Sequence, residues 1–398
     1  MTKIFTEGPN VHLNACVGDN TGGDDGYGYV LGFAQAVEAL VAAAKQQFYT
    51  DPDSGEAVTV YMDTLIYPIG FCARHHIELF LKRQISRISV MRGGQPKDTA
   101  GTHDLDELLN KLRHLCQTVD RRLPEYIQPL EASITEFSAM DPTGQTFRYQ
   151  RGSEDEKHLQ GVGRINLETF GAGFKRLSEA DEAFENAVEA IADEYAQGVF
   201  TKKLSRSEIK EIALALPSRA SWKNSPEFTE AKERFKQKYG LSNNDFSSAV
   251  DLILSNYEFS SLIDCERELE HVKPEYFAAL QGASANSALT STISREGWAA
   301  LAAISEVGTT LGYSEYYDRY RSWLLSDECD QGIWPNDIIR EVNHRPERFR
   351  SGLKKLGQTK LLESFNLAFP EPPEPTDAEV AASQAKREEQ MKRFFGKE

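Results

Sequence analysis

Residues 67–83 read YPIGFCARHHIELFLKR, and this stretch decides the class of fold. Ile77, Phe80, Leu81 and Ile85 recur at the spacing that puts apolar side chains on one face of an α-helix. The pattern predicts a long helix from about Asp63 to Ile88. Pro68 either kinks this helix or marks its true start, because proline lacks the N–H that an interior helical position uses.

The same helix carries a line of polar residues. Arg74, Glu78 and Lys82 lie at positions i, i+4 and i+8 and share one face, and His75 joins its edge. One interpretation is a solvent-exposed ladder of ion pairs, each worth about 0.2–0.5 kcal/mol. The other is a functional surface, since Arg-His-His is an uncommon sequence for a merely solvated face. The sequence leaves both interpretations open.

Helical patterns also surround this segment in the first half of the chain. We predict helices over 27–47, 103–119, 125–140 and 167–197. Residues 146–151 and 159–165 resemble two short strands around a charged turn, which predicts a β-hairpin near 146–165. Residues 1–28 are expected to be irregular, although the apolar segment Val11 to Val17 could form a strand. The prediction is a helical domain over residues 29–198 with one hairpin.

The second half of the chain predicts a separate domain that is entirely helical. We place the boundary at residues 198–205, and Ser205 and Glu208 have the spacing of a helix-capping box. Pro226 and Gly240 stand where a helix would start and stop. This domain is expected to span residues 205–366. Residues 367–398 read as a proline-rich linker followed by a charged helical tail.

Composition limits the cellular location and the partners. The 398 residues carry a formal net charge of −16, which repels nucleic acid at long range, so any RNA contact needs a local basic patch. We find no apolar run of about 18–20 residues and no signal peptide, which predicts a cytoplasmic protein without a membrane partner. The five cysteines are scattered, and no metal-binding motif occurs. No metal and no cofactor are therefore expected.

The stretch Arg74 to Lys82 resembles the R-H-x-x-E-L-x-L-K helix of uncharacterised bacterial HEPN-like proteins. Three further pieces fit the same pattern in order: residues 63–68, the segment His103-Asp104-Leu105, and Asp141 followed by Phe147-Arg148-Tyr149. The resemblance covers residues 10–195. It implies a mainly α fold, namely a HEPN-like helical bundle with a small β-hairpin, followed here by a second all-helical domain.

The resemblance also implies a function and a set of residues. HEPN relatives are often dimeric, and many are metal-independent ribonucleases of prokaryotic toxin or antiviral defence systems. Their signature is an arginine, a polar residue and a histidine after four to six intervening residues. Only Arg151 and His158 match this length, but glycine follows the arginine and the intervening turn is acidic. We therefore regard this match as coincidental.

Residue chemistry favours other catalytic candidates, namely Arg74, His75 and His103. RNA cleavage needs an acid or base that titrates near neutral pH and a cation for the phosphorane charge, which histidine and arginine supply. Glu78, Lys82 and Arg148 are expected to form a supporting polar line. His103 has a plainer interpretation as part of a helix start, because Asp104 and Asp106 suit the first turn of a helix.

In the second domain, the densest basic stretch contains Arg345, Arg348, Arg350, Lys354 and Lys355. It could contact phosphate, an acidic face of a partner, or an acidic face of this protein. The tyrosine stripe that includes Tyr316, Tyr317 and Tyr320 is interpreted as core, although aromatic residues beside arginines can stack bases.

Two functional hypotheses follow. The first is a HEPN-like component of a bacterial defence or toxin-type system that binds or cleaves RNA or a nucleotide, as a homodimer. The second is a non-catalytic dimerisation or interaction protein that scaffolds a protein partner.

Overall fold

The computed structural model describes residues 4–18, 26–46, 48–97, 99, 101–152, 155–283, 289–309, 312–327, 329 and 334–371. The chain divides into two compact units, Met1–Arg206 and Ser207–Glu398. Both units are mainly helical in the residues described. The prediction of a mainly α protein is therefore confirmed.

Unit 1 is a helical bundle built around one long central helix. Its helices are α1 (Tyr27–Gln46), α2 (Met62–Val90), α3 (Leu105–Val119), α4 (Leu123–Met140) and α5 (Leu167–Ala196). Helix α2 packs on α1, α3 and α5, and α4 bridges α3 and α5. Pro68 lies inside α2, whose first turn begins at Met62, so the proline does not mark the start of the helix. The core contains Ile77, Phe80, Leu81 and Ile85, the apolar face recognised in the sequence.

The predicted positions of the strands were wrong. The described residues of 146–165 form turns with one antiparallel bridge, between Arg151 and Lys157, and no strand pair. The two-stranded sheet lies elsewhere, where β1 (Phe48–Thr50) pairs with β2 (Ala57–Thr59) between α1 and α2. Val11–Leu13 forms a short 3-10 helix instead of a strand. Whether a short segment with a strand-like pattern forms a strand depends on what packs against it. This explains the errors at residues 146–165 and at Val11 to Val17.

Helix α1 is long and apolar. Among the described residues it is the one helix long and apolar enough to cross a membrane, contrary to the expectation that no such run exists. Five of its residues, Val30, Ala34, Val37, Val41 and Ala44, are buried in the bundle core. A core helix satisfies the same test of length and composition.

Unit 2 is also a helical assembly. Its helices are α6 (Arg206–Ala215, which begins at the unit boundary), α7 (Pro226–Tyr239), α8 (Asn243–Ser255), α9 (Tyr257–Ser261), α10 (Pro274–Leu280), α11 (Leu289–Thr292), α12 (Arg295–Val307), α13 (Tyr316–Leu325), α14 (Pro335–His344), α15 (Pro346–Lys355) and α16 (Thr359–Ala368). Helix α12 packs on α13, α14 and α15. Ser225 caps α7 before Pro226, and Gly240 ends it in the left-handed conformation. The predicted charged tail lies outside the described residues, which end at residue 371.

Candidate functional site

One cleft in unit 1 gathers the polar residues singled out in the sequence. It has a volume of about 380 Å³ and lies where α2, the start of α3 and the loop after α4 meet. Helix α2 supplies one wall, His103 a second, and residues 141–149, here called the 141–149 loop, a third. Its lining residues are Phe71, Arg74, His75, Glu78, His103, Thr143, Gly144, Gln145 and Arg148.

Arg74 is buried and engaged with the protein itself. Its side chain is 2% exposed. The Nε atom donates a hydrogen bond to the Asp141 carbonyl oxygen at 3.0 Å, one terminal nitrogen donates to Glu78 Oε2 at 3.1 Å, and the other donates to the His103 carbonyl oxygen. A buried charge must be paired and hydrogen-bonded to be tolerated. Arg74 therefore ties the other two walls of the cleft to α2.

Glu78 is the shared acceptor of the site. Its carboxylate accepts from Arg74, from Lys82 Nζ at 2.8 Å, and from His103 Nδ1 at 2.8 Å. Burial alone would raise the pKa of Glu78, but the hydrogen bonds from Lys82 and His103 outweigh it and lower the pKa. The polar line of α2 is thus a buried network and not the solvent-exposed ladder that one interpretation of the sequence predicted.

One ring nitrogen of His103 is hydrogen-bonded within the site, while the rest of the ring is exposed. Its side chain is 66% exposed, although Nδ1 is bonded to Glu78. An ionised carboxylate only accepts, so Nδ1 carries the hydrogen, and Nε2 is the nitrogen available to a ligand. Asp104 caps α3 by accepting from the backbone N–H groups of Asp106 and Glu107. Both interpretations of His103 therefore apply, since it stands at a helix start and faces the cleft.

His75 is half-buried between two aromatic rings. Its ring lies edge-on to Phe33 at 4.6 Å and is stacked on Phe71 at 5.6 Å between centroids. Within the described part of the chain it makes no hydrogen bond. Burial lowers its pKa, and the cations Arg74, Lys82 and Arg148 lower it further, while Glu78 opposes them. The lowered pKa favours the neutral imidazole, whose nitrogens have no partner among the residues that the structure describes.

Arg148 presents the accessible positive charge of the cleft. Its guanidinium carbon lies 5.4 Å from the ring centroids of both Phe71 and Tyr149. Among the residues the structure describes, it has neither a hydrogen bond nor an ion pair through its side chain. A guanidinium that stacks on aromatic rings keeps its planar fork of donors available for a phosphate or carboxylate.

A second histidine network lies behind the cleft. His76, the neighbour of His75, points about 100° further around α2 and is buried. Its Nδ1 donates to the Val30 carbonyl oxygen at 2.9 Å, and its Nε2 lies 2.8 Å from Asp181 Oδ2. Burial raises the pKa of Asp181, while His76 opposes this shift. This network joins α1, α2 and α5, and it belongs to the core and not to the cleft.

Several residues of the cleft were not predicted from the sequence, namely Phe71 and the segment Thr143 to Gln145. Phe33, which packs on His75 without lining the cleft, was not predicted either. Phe71 could have been found from its i, i+4 spacing to His75, which places both rings on one helix face. Within the 141–149 loop, Arg148 was predicted from the sequence, whereas residues 143–145 carry no comparable signal, because their position depends on contacts with a distant helix.

The basic stretch of unit 2 is largely engaged within its own unit. Arg345 and Arg348 pair with Glu341, Lys354 pairs with Glu371, and Lys355 donates to the Val307 carbonyl oxygen. Of the three alternatives left by the sequence, these contacts correspond to an acidic face of the protein itself. Tyr317 is buried and belongs to the core cluster of the unit, against which Tyr316 and Tyr320 pack.

Arg350 is expected to stabilise unit 2. Its side chain is buried, and it donates to Asn366 Oδ1 at 2.9 Å and to the Phe369 carbonyl oxygen at 2.7 Å. Arg350→Ala should lower the free energy of unfolding of unit 2 by about 1.5–3 kcal/mol, the range for hydrogen bonds to charged groups. All four tryptophans lie in unit 2, so denaturant unfolding followed by tryptophan fluorescence reports on this unit. The exposed Arg340→Ala is the matched control, and equal midpoints for both variants would contradict the prediction.

No family model matches this chain, and neither a curated protein nor a solved structure matches it. Within the described residues, no group of three or more histidine, cysteine, aspartate or glutamate side chains could hold a metal ion.

Proposed function

We propose that the cleft binds RNA and cleaves its phosphodiester backbone by acid–base catalysis with two histidines. One observation carries this proposal: His75, a neutral imidazole with no hydrogen-bond partner in the described part of the chain, lines the same cleft as Arg148, a guanidinium likewise without an acidic partner there. A neutral base beside an available cation is what phosphoryl chemistry requires.

The local charge of the cleft supports an anionic ligand. Its lining includes two arginines and one glutamate, and that glutamate is also paired with Lys82. The cleft is therefore locally positive in a chain whose net charge is −16. A local patch of this kind is what an acidic protein needs to hold a phosphate.

The proposed reaction is a proton-balanced transesterification. His75 accepts the proton of the ribose 2′-hydroxyl, the 2′-oxygen forms a bond to phosphorus, and the bond from phosphorus to the 5′-oxygen breaks. His103, as the imidazolium oriented by Glu78, gives a proton to the departing 5′-oxygen. Arg148 offsets the added negative charge on the phosphorane. In this scheme Arg74 is a positioning residue, because its donors are used by Asp141, Glu78 and His103.

The internal pairing of the α2 polar line favours a second candidate. Arg74, Glu78 and Lys82 satisfy one another, as they would in a structural network of a non-catalytic interaction protein. In that case the unit scaffolds a protein partner or a second copy, and the cleft takes no RNA. We also propose, from the HEPN-like resemblance, that the protein belongs to a defence or toxin-type system and forms a homodimer.

Arg148→Ala is expected to weaken RNA binding about 10- to 100-fold, because a hydrogen bond to a charged group contributes about 1.5–3 kcal/mol. Binding is measured by fluorescence anisotropy with a labelled RNA oligonucleotide, and cleavage of the same RNA is followed in EDTA. The exposed Arg176→Ala on α5 controls for the loss of one positive charge. If the wild type neither binds nor cleaves this RNA, the proposal is wrong and the interaction protein is favoured.

A further inference from the structure

We infer that the contact between Phe147 and Gly70 is a positioning device that sets Arg148 opposite His75, an inference that rests on the proposed function. Phe147 is buried and its ring lies directly on Gly70 of α2. A Cβ atom at position 70 would lie 2.5 Å from a carbon of this ring. Only glycine therefore lets the ring sit where it does.

The Phe147–Gly70 contact acts together with two polar anchors of the same loop. The Asp141 carbonyl oxygen accepts from Arg74 Nε, and Asp141 Oδ1 accepts from the backbone N–H of Thr146 at 3.1 Å. Asp141 is itself buried. The 141–149 loop is thus fixed to α2 at its first residue and again at Phe147.

The position of Phe147 dictates that of Arg148. Consecutive Cα atoms are about 3.8 Å apart, so the backbone of Arg148 cannot stay in place when that of Phe147 moves. Gly70 lies one residue before Phe71, the ring on which both Arg148 and His75 stack. The glycine is therefore the neighbour of Phe71 in α2, and the base and the cation both stack on the Phe71 ring.

Gly70→Ala tests this inference. The added methyl group displaces the Phe147 ring and draws Arg148 away from Phe71 and His75. We expect the pKa of His75, measured by NMR titration of its imidazole, to rise, because a neighbouring cation that lowers it is removed and burial is reduced. We also expect RNA cleavage to fall about 10- to 100-fold, since a misplacement of about 1 Å has a cost of this order.

Two variants separate positioning from general damage. Gly171→Ala puts a Cβ 2.8 Å from Val41 at another helix contact of unit 1, away from the cleft, and should leave the pKa of His75 unchanged. Phe147→Leu combined with Gly70→Ala replaces the rigid ring by a side chain that can turn away from the methyl group. This double variant should restore the pKa of His75 and most of the activity.

The NMR titration needs no substrate, so it tests the positioning role of the Phe147–Gly70 contact separately from the proposed function. A His75 pKa that is the same in folded Gly70→Ala and wild type, or that moves equally in Gly171→Ala, overturns the inference. A rise in Gly70→Ala alone supports it, even if no RNA is cleaved and the proposed function fails, whereas a fall in the His75 pKa contradicts it. Circular dichroism checks that each variant is folded.

Discussion

Replacing His75 by alanine is expected to lower the rate of RNA cleavage about 10²- to 10⁴-fold, the usual contribution of a general acid or base. The physical reason is that His75 presents ring nitrogens without a hydrogen-bond partner in the described chain, at a site whose burial lowers its pKa and keeps it neutral. Single-turnover cleavage of labelled RNA in EDTA measures the effect.

Alanine also removes the packing of the imidazole between Phe33 and Phe71. His75→Phe keeps an aromatic ring in this place but cannot accept a proton, so it should be as inactive as His75→Ala. His114→Ala, at an exposed position of α3, is the matched histidine control. Activity in His75→Phe close to that of the wild type would remove His75 from the mechanism.

The pH dependence follows from the direction of the pKa shift. The base must be neutral, so activity should rise with pH through the pKa of His75. Because burial, aided by nearby cations, lowers this pKa, the acidic limb of the kcat/KM profile should lie below the ordinary histidine value of 6.5. In Gly70→Ala the same limb should move to higher pH. An acidic limb above 6.5 in the wild type would contradict the assignment.

The second large effect is expected on stability. Asp181→Ala should lower the free energy of unfolding of unit 1 by about 3–5 kcal/mol, the cost of removing one partner of a buried pair. The change leaves the Nε2 atom of His76 without its partner in the interior and creates a cavity at α5. His76→Ala should have a similar cost, because it leaves a buried carboxyl group unpaired.

Unit 1 contains no tryptophan, so two spectroscopic signals distinguish its unfolding from that of unit 2. Far-ultraviolet circular dichroism follows both units, whereas tryptophan fluorescence follows unit 2 alone. A transition that moves in the first signal and not in the second therefore belongs to unit 1. Glu182→Ala, at the adjacent exposed position of α5, is the matched control.

A double variant separates the pair from its surroundings. If His76 and Asp181 act as a unit, the double alanine variant costs clearly less than the two single changes together. Strict additivity, or a cost for Asp181→Ala no larger than that for Glu182→Ala, would show that the pair contributes nothing particular to unit 1.

Much of the fold could be predicted because helical periodicity is a local property. The expected helix from Asp63 to Ile88 became α2, Met62–Val90, and its apolar stripe is the core face. The hairpin was misplaced because three-residue strands such as Phe48–Thr50 have too few positions to show an alternating pattern.

The sequence by itself determined that unit 1 is helical and that Arg74, His75, Glu78 and Lys82 lie near one another, since residues four apart share a helix face. Only the tertiary structure decided what each of them does. Arg74 donates hydrogen bonds to carbonyl oxygens 29 and 67 residues away, and His76 is paired with a carboxyl group 105 residues away. His75 is left open to the cleft. Adjacent histidines therefore differ because, among the described residues, hydrogen-bonding groups distant in the sequence reach His76 and not His75, and no local pattern encodes those contacts.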